Sequence, residues 1–139
     1  MVDDICRASA ERLLELYRKR ELSPAEATAA VLRGIEAGNP RVNAFCLVDA
    51  EAAMASARAA EARWRKGTPC GPLDGVPVSI KDLQLTKGWP TLKGSRTVDP
   101  NQPWTEDAPS VARLREAGAV LVGKTTTDRK STRLNSSHT

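Results

Sequence analysis

Gly71-Pro72-Leu73-Asp74-Gly75 is a turn that hands the backbone directly to Val76-Pro77-Val78-Ser79-Ile80, an apolar run short enough to be a buried strand. The run ends on Lys81 and Asp82. A chain with this stretch must carry a strand into a core and leave a charge pair at its end. One reading is a solvated Lys-Asp pair on a loop, with the lysine stem lying over apolar surface. A functional lysine at the strand end is the other, and spacing alone does not choose between them.

The residues before this stretch read as helices around one short strand. Cys6, Ala10, Leu13, Leu14 and Tyr17 share a face of a helix expected over 4–19. Ser23-Pro24-Ala25-Glu26 is a capping box with proline at the first helical position, opening a helix over 24–37 that Gly38-Asn39-Pro40 should stop. A strand is expected at 44–48. Asp49 then caps a helix over 49–66, with Ala53, Met54, Ala57, Ala60 and Trp64 on one side. Residues 83–107 have no sustained period, and a loop of that length is usually functional or disordered. A helix over 108–117 and a strand over 119–122, with the strand at 76–80, complete an α/β pattern.

Composition closes off several classes. The 139 residues are 40% hydrophobic and 27% charged, which is ordinary globular material. Aromatics are only 4%, so Ala, Val, Leu and Ile must fill the core, and a small alanine-rich core favours dependence on further sequence. Cys6, Cys46 and Cys70 are widely spaced and form neither a zinc pattern nor a disulfide framework. There is no signal-peptide pattern and no run long enough for a bilayer, so a cytoplasmic protein without membrane contact is expected. Gly118-Ala119-Val120-Leu121-Val122-Gly123-Lys124-Thr125 satisfies the phosphate-loop spacing. Its four middle residues are apolar and follow a helix, so they read as the strand itself, and nucleotide binding is set aside.

The block Gly71 to Asp82, together with Leu85-Thr86-Lys87-Gly88-Trp89-Pro90-Thr91-Leu92-Lys93-Gly94-Ser95 and Glu106-Asp107-Ala108-Pro109-Ser110-Val111-Ala112-Arg113-Leu114, closely resembles the front of the amidase signature family. Asn43-Ala44 and the Val122-Gly123-Lys124-Thr125 ending fit the same resemblance. The resemblance implies an α/β fold with a mixed sheet flanked by helices. It also implies a small-molecule amide substrate, no cofactor or metal, and catalysis by a serine, a second serine in a cis peptide, and a lysine. The family's lysine falls on Lys81. The 83–107 segment would border the pocket.

Amide attack needs a base to take the serine proton and donors to hold the oxyanion. A lysine is a base only when neutral, a form that burial favours. Both serines belong to a glycine- and serine-rich segment that nothing here matches. Residues 1–127 therefore read as the N-terminal part of a single amidase domain, catalytically incomplete as it stands. Residues 128–138 match one reading frame of a widely used sequencing adapter, so 128–139 reads as a non-native tail without a packed element. Setting it aside removes Arg129, Lys130, Arg133 and one acid from 21 basic and 17 acidic residues, leaving 18 against 16. That balance gives no nucleic-acid footprint. It also removes His138, the only histidine.

Two other readings stay open beside the amidase fragment: a noncatalytic interaction piece, and the A-type subunit of a tRNA-dependent amidotransferase. That second branch shares Gly71-Pro72-Leu73 and Lys81-Asp82, whereas Trp89-Pro90-Thr91-Leu92-Lys93-Gly94-Ser95 is more similar to free-standing amidases. Oligomeric state is left undetermined by the sequence.

Overall fold

In a computed structural model that describes residues 2–127, the chain runs α1 (Val2–Arg7), α2 (Ala10–Arg18), α3 (Pro24–Val42), β1 (Phe45–Val48), α4 (Ala50–Arg65), β2 (Pro77–Lys81), α5 (Pro109–Glu116) and β3 (Val120–Thr125). The expectation for 128–139 lies outside the described residues. Three elements differ from the sequence reading, one of them β3, which is expected to end at 122 and continues to Thr125. The single helix expected over 4–19 is two, because Ser9 takes extended backbone and its side chain accepts from the Arg12 amide at 3.1 Å, starting α2 afresh. The second helix does not stop at Gly38 but runs to Val42, with Pro40 inside it.

Pro40 is tolerated there because it sits in the last turn, where it removes one backbone bond close to the helix end. The helix closes on Asn43 in the left-handed region (φ 50°). The Asn39 side chain both donates to the Phe45 carbonyl and accepts from its amide, at 3.2 and 2.8 Å, so the helix end is fixed to β1. The capping box at Ser23 and Glu26 forms in both directions.

The strands make one mixed sheet in the order β1-β3-β2, with β1 antiparallel and β2 parallel to β3. The β2–β3 register runs Pro77↔Val120, Val78↔Leu121, Ser79↔Gly123, Ile80↔Lys124 and Lys81↔Thr125, so Val122 is an extra residue in β3. Such a bulge changes which side of the sheet the following residues face. Val120 and Val122 pack on Ala53 and Ala57 of α4, with Leu32, Ile35 and Phe45 around them. On the other side, Leu121 and Ile80 pack on Trp89 and Val111. Small alanines let α4 approach the sheet closely. At Gly123 the strands come closer still, since a Cβ there would collide with the Leu47 carbonyl.

A third cluster joins Leu13, Tyr17, Ala27 and Val76, under the turn that opens β2. Tyr17 donates its hydroxyl to the Gly75 carbonyl at 2.8 Å, and Gly75 adopts φ 84°, where an added Cβ would strike Pro24. Burial pushes the Tyr17 phenol well above its ordinary value.

Asp49 has two duties. One carboxylate oxygen caps α4 by accepting from the Ala52 amide at 3.0 Å, and the other accepts from Trp89 Nε1 at 3.0 Å, across 40 positions of chain. Asp49→Ala loses both the cap and an indole partner in one step. It is expected to cost about 2 kcal/mol, roughly twice an ordinary cap. Thermal unfolding of the variant beside Asp49→Asn, which keeps a capping oxygen, measures it.

Candidate active site

β2 and β3 run parallel and end together, and the chain leaves β2 by a turn tied to that end. The Asp82 amide donates to the Thr125 carbonyl at 3.0 Å, and the Gln84 amide donates to the Lys81 carbonyl at 3.1 Å. The peptide that joins Lys81 to Asp82 is thus held through both its amide and its carbonyl. The Lys81 side chain is exposed, and among the described residues it has no hydrogen-bond or ion-pair partner. The burial that would favour a neutral amine is not supplied by residues 2–127.

Asp82 parts company with its neighbour. It is 5% exposed and makes no ion pair with Lys81, so the solvated Lys-Asp pair does not form. Its carboxylate instead accepts from the Leu92 amide with both oxygens at 3.3 Å, and its carbonyl accepts from the Lys93 amide at 3.1 Å. The 83–107 segment is thereby folded back on the strand end. Its two ends are joined by the Ala108 amide to Leu85 carbonyl bond at 2.8 Å and the Gly88 amide to Trp104 carbonyl bond at 2.9 Å. Asp107 does not cap α5, whose N-cap is Ala108 without a side-chain bond. It accepts from the Lys87 amide and pairs with Arg115 at 2.8 Å.

The residue missed from sequence is Lys124. It is fully buried, and its ammonium donates to the Gln84 carbonyl at 2.9 Å and to Thr91 Oγ1 at 2.7 Å, with Asp82 Oδ1 at 3.4 Å. Burial presses its pKa below the ordinary lysine range, and the Asp82 charge and hydrogen bond oppose that. The glycine-lysine-threonine of the phosphate-loop pattern lies inside β3, not in a loop before a helix.

The signal for Lys124 was the unbroken apolar run Val120-Leu121-Val122. A strand buried on both faces reads that way, and the residue continuing it is buried as well.

A cavity of about 260 Å³ lies at this end of the sheet, lined among others by Cys46, Asp82, Leu92, Ser95, Arg96 and Thr126. Larger clefts of about 430 and 500 Å³ flank Trp64 and include no residue of β2 or β3. The smaller one is the candidate because it takes in Asp82 and the Leu92–Arg96 stretch at the end of β2, although neither Lys81 nor Lys124 is among its lining residues. The Cys46 thiol at its edge donates to the Lys124 carbonyl, and burial followed by the Asp82 charge raises its pKa. That makes it a poor nucleophile near neutrality.

A family model described as Amidase matches residues 26–139. The chain is 47% identical over 125 residues to the A subunit of a glutamyl-tRNA(Gln) amidotransferase from Salinispora arenicola, covering 90% of this chain and 25% of that protein. It is 41% identical over 122 residues to a putative amidase of Mycobacterium bovis, covering 88% and 26%. Among solved structures, a bacterial aryl acylamidase of the amidase signature enzymes superposes with a TM-score of 0.79 at 28% identity, covering 87% of this chain and 25% of that one. The chain spans about a quarter of the length of the curated relatives it matches.

Proposed function

Because this chain belongs to the amidase signature family, we propose that it is the front part of a hydrolase acting on carboxylic amide C–N bonds. Lys81 is the base end of a serine, cis-peptide serine and lysine relay, whose serines lie in sequence this chain does not contain. The observation that carries this reading is the place of Lys81 at the carboxyl end of β2, in the parallel pair, one residue before Asp82, which lines the cavity. Ligands of open α/β sheets bind outside the carboxyl ends of their strands.

In that role the neutral Lys81 amine accepts a proton from the cis-peptide serine, which in turn takes one from the attacking serine. The same path returns it to the leaving amine. The cover that Lys81 lacks here comes, on this reading, from the same missing sequence. Substrates are small amides. No helix among the described residues is long and apolar enough to cross a membrane.

A second reading is favoured by one observation, the 47% identity to an amidotransferase A subunit. There the ammonia released would pass to a glutamyl-tRNA with other subunits bound. A complete protein carrying this segment, assayed for ammonia release from glutamine and from simple aliphatic and aryl amides, tests both. Turnover of simple amides by the protein alone supports the free-standing enzyme. Turnover of glutamine that requires Glu-tRNA(Gln) and partner subunits supports the second reading, and no release under either condition removes the hydrolase reading altogether. The 139-residue chain is expected to be inert in every assay.

A further inference from the structure

A lysine with no exposed surface is costly unless its charge and all its protons are satisfied. Lys124 meets that condition with three acceptors, each from the segment that follows β2: Asp82, the Gln84 carbonyl and Thr91 Oγ1. The acceptors also bind one another, since the Thr91 hydroxyl donates to the Gln84 carbonyl at 3.2 Å. The extra residue Val122 turns Lys124 to the side of the sheet shared with Ile80 and Leu121, while Lys81, next to Ile80 along β2, alternates to the opposite side. The titratable groups facing Lys124 are thus Asp82 from the turn and, more weakly, the Cys46 thiol from β1. Lys124 does not reach the side from which Lys81 projects.

We propose that Lys124 is a positioning residue: its ammonium clamps Asp82, Gln84 and Thr91 into one turn, and so fixes both the strand end that carries Lys81 and the Leu92–Arg96 wall of the cavity. The connection to Lys81 is covalent through Asp82, whose amide is bonded to the Thr125 carbonyl. Its carboxylate, held by Lys124 and the Leu92 amide, is kept from pairing with Lys81. A turn held in this way costs no reorganisation when substrate binds. The catalytic part of this inference rests on the proposed role of Lys81; the clamp itself does not.

Amide hydrogen exchange on the 139-residue chain tests the clamp directly. In Lys124→Met, the Leu92 and Lys93 amides should exchange at least about tenfold faster, while helical amides of α2 and α4 hold within about threefold. Thr91→Val removes one acceptor without stranding a charge, and should give the same local pattern if Lys124→Met does not fold. Thr91→Ser keeps the hydroxyl and should restore the parental rates. Uniform acceleration across the chain in Thr91→Val, or none at Leu92 and Lys93, overturns the proposal.

In a complete enzyme, Thr91→Val is expected to lower kcat about tenfold with KM changed less than about threefold, and Thr91→Ser to recover kcat. A rise in KM alone, or no recovery with serine, counts against positioning. Loss of the exchange pattern refutes the clamp, whereas an active Lys81→Met enzyme refutes the reading of Lys81, so the two failures are told apart.

Discussion

Lys81→Met in a complete enzyme carrying this segment is expected to yield a folded protein that has lost amide hydrolysis by at least about a hundredfold, the lower range for a missing acid-base group. The fold survives because methionine keeps most of the lysine stem, and among the described residues Lys81 has no side-chain partner that the change would leave unpaired. Lys81→Arg should be equally inactive, since a guanidinium stays charged and cannot accept the proton. Initial rates of ammonia release, measured beside thermal unfolding of the same samples, separate lost chemistry from lost structure. Near-parental turnover in Lys81→Met would take the residue out of the mechanism and return it to the solvated lysine that spacing alone allows.

The largest expected loss of stability belongs to Asp74, in the turn that opens β2. It is fully buried, and its carboxylate accepts from Arg63 Nε at 2.8 Å, Arg63 Nη2 at 2.6 Å and the Cys70 amide at 2.8 Å. Its carbonyl accepts from Trp64 Nε1 at 2.9 Å. Asp74→Ala leaves the Arg63 guanidinium, itself one-third exposed, and the Cys70 amide without their acceptor, and is expected to cost about 3 kcal/mol, the low end for a broken buried pair and a large share of the roughly 5–15 typical of a domain. Urea unfolding measures it, and a loss under about 1 kcal/mol would mean that the pair contributes little.

Burial alone would raise the Asp74 pKa, but the Arg63 hydrogen bonds, the Cys70 amide and the Arg63 charge outweigh it and hold the carboxyl below its ordinary value. A folded pKa below the unfolded one gives stability that is complete above about pH 4 and is lost as pH falls through the folded value. Asp74→Asn should therefore be less stable than the parent near neutrality and lose less on acidification below about pH 4. A parallel decline of the two proteins would contradict the assignment.

Side-chain pattern made most of this architecture readable, and where it failed the cause was specific. The Ser23 box and the Asp49 cap were visible because a capping oxygen stands before an apolar stripe, and both form. Ser9 caps equally well but lies inside the stripe Cys6, Ala10, Leu13, so periodicity ran across the break. Pro40 looked like a stop because local preference says nothing of the Asn39 bonds to Phe45 that hold the last turn. At the candidate site, the strand end and the place of Lys81 on it were legible. The burial of Asp82 and Lys124 was not, because it depends on a bulge and on a loop folding back across 40 positions. The adjacency of Lys81 and Asp82 even suggested the wrong partner.

Among the described strands, the one that joins the sheet is the last to be made. Among the described residues β1 and β2 each bond only to β3, which ends at Thr125, so a nascent chain leaving the ribosome holds β1 without this partner while the 77 residues from 49 to 125 are added. At about 5–20 residues per second that is a wait of roughly 4–15 s, with the apolar faces of β1 and α4 uncovered. The helices can dock on one another meanwhile, but the sheet arrives in a single step when Val120–Thr125 emerges. Ribosomes stalled just before that point and just after it should carry chains that differ sharply in protease resistance.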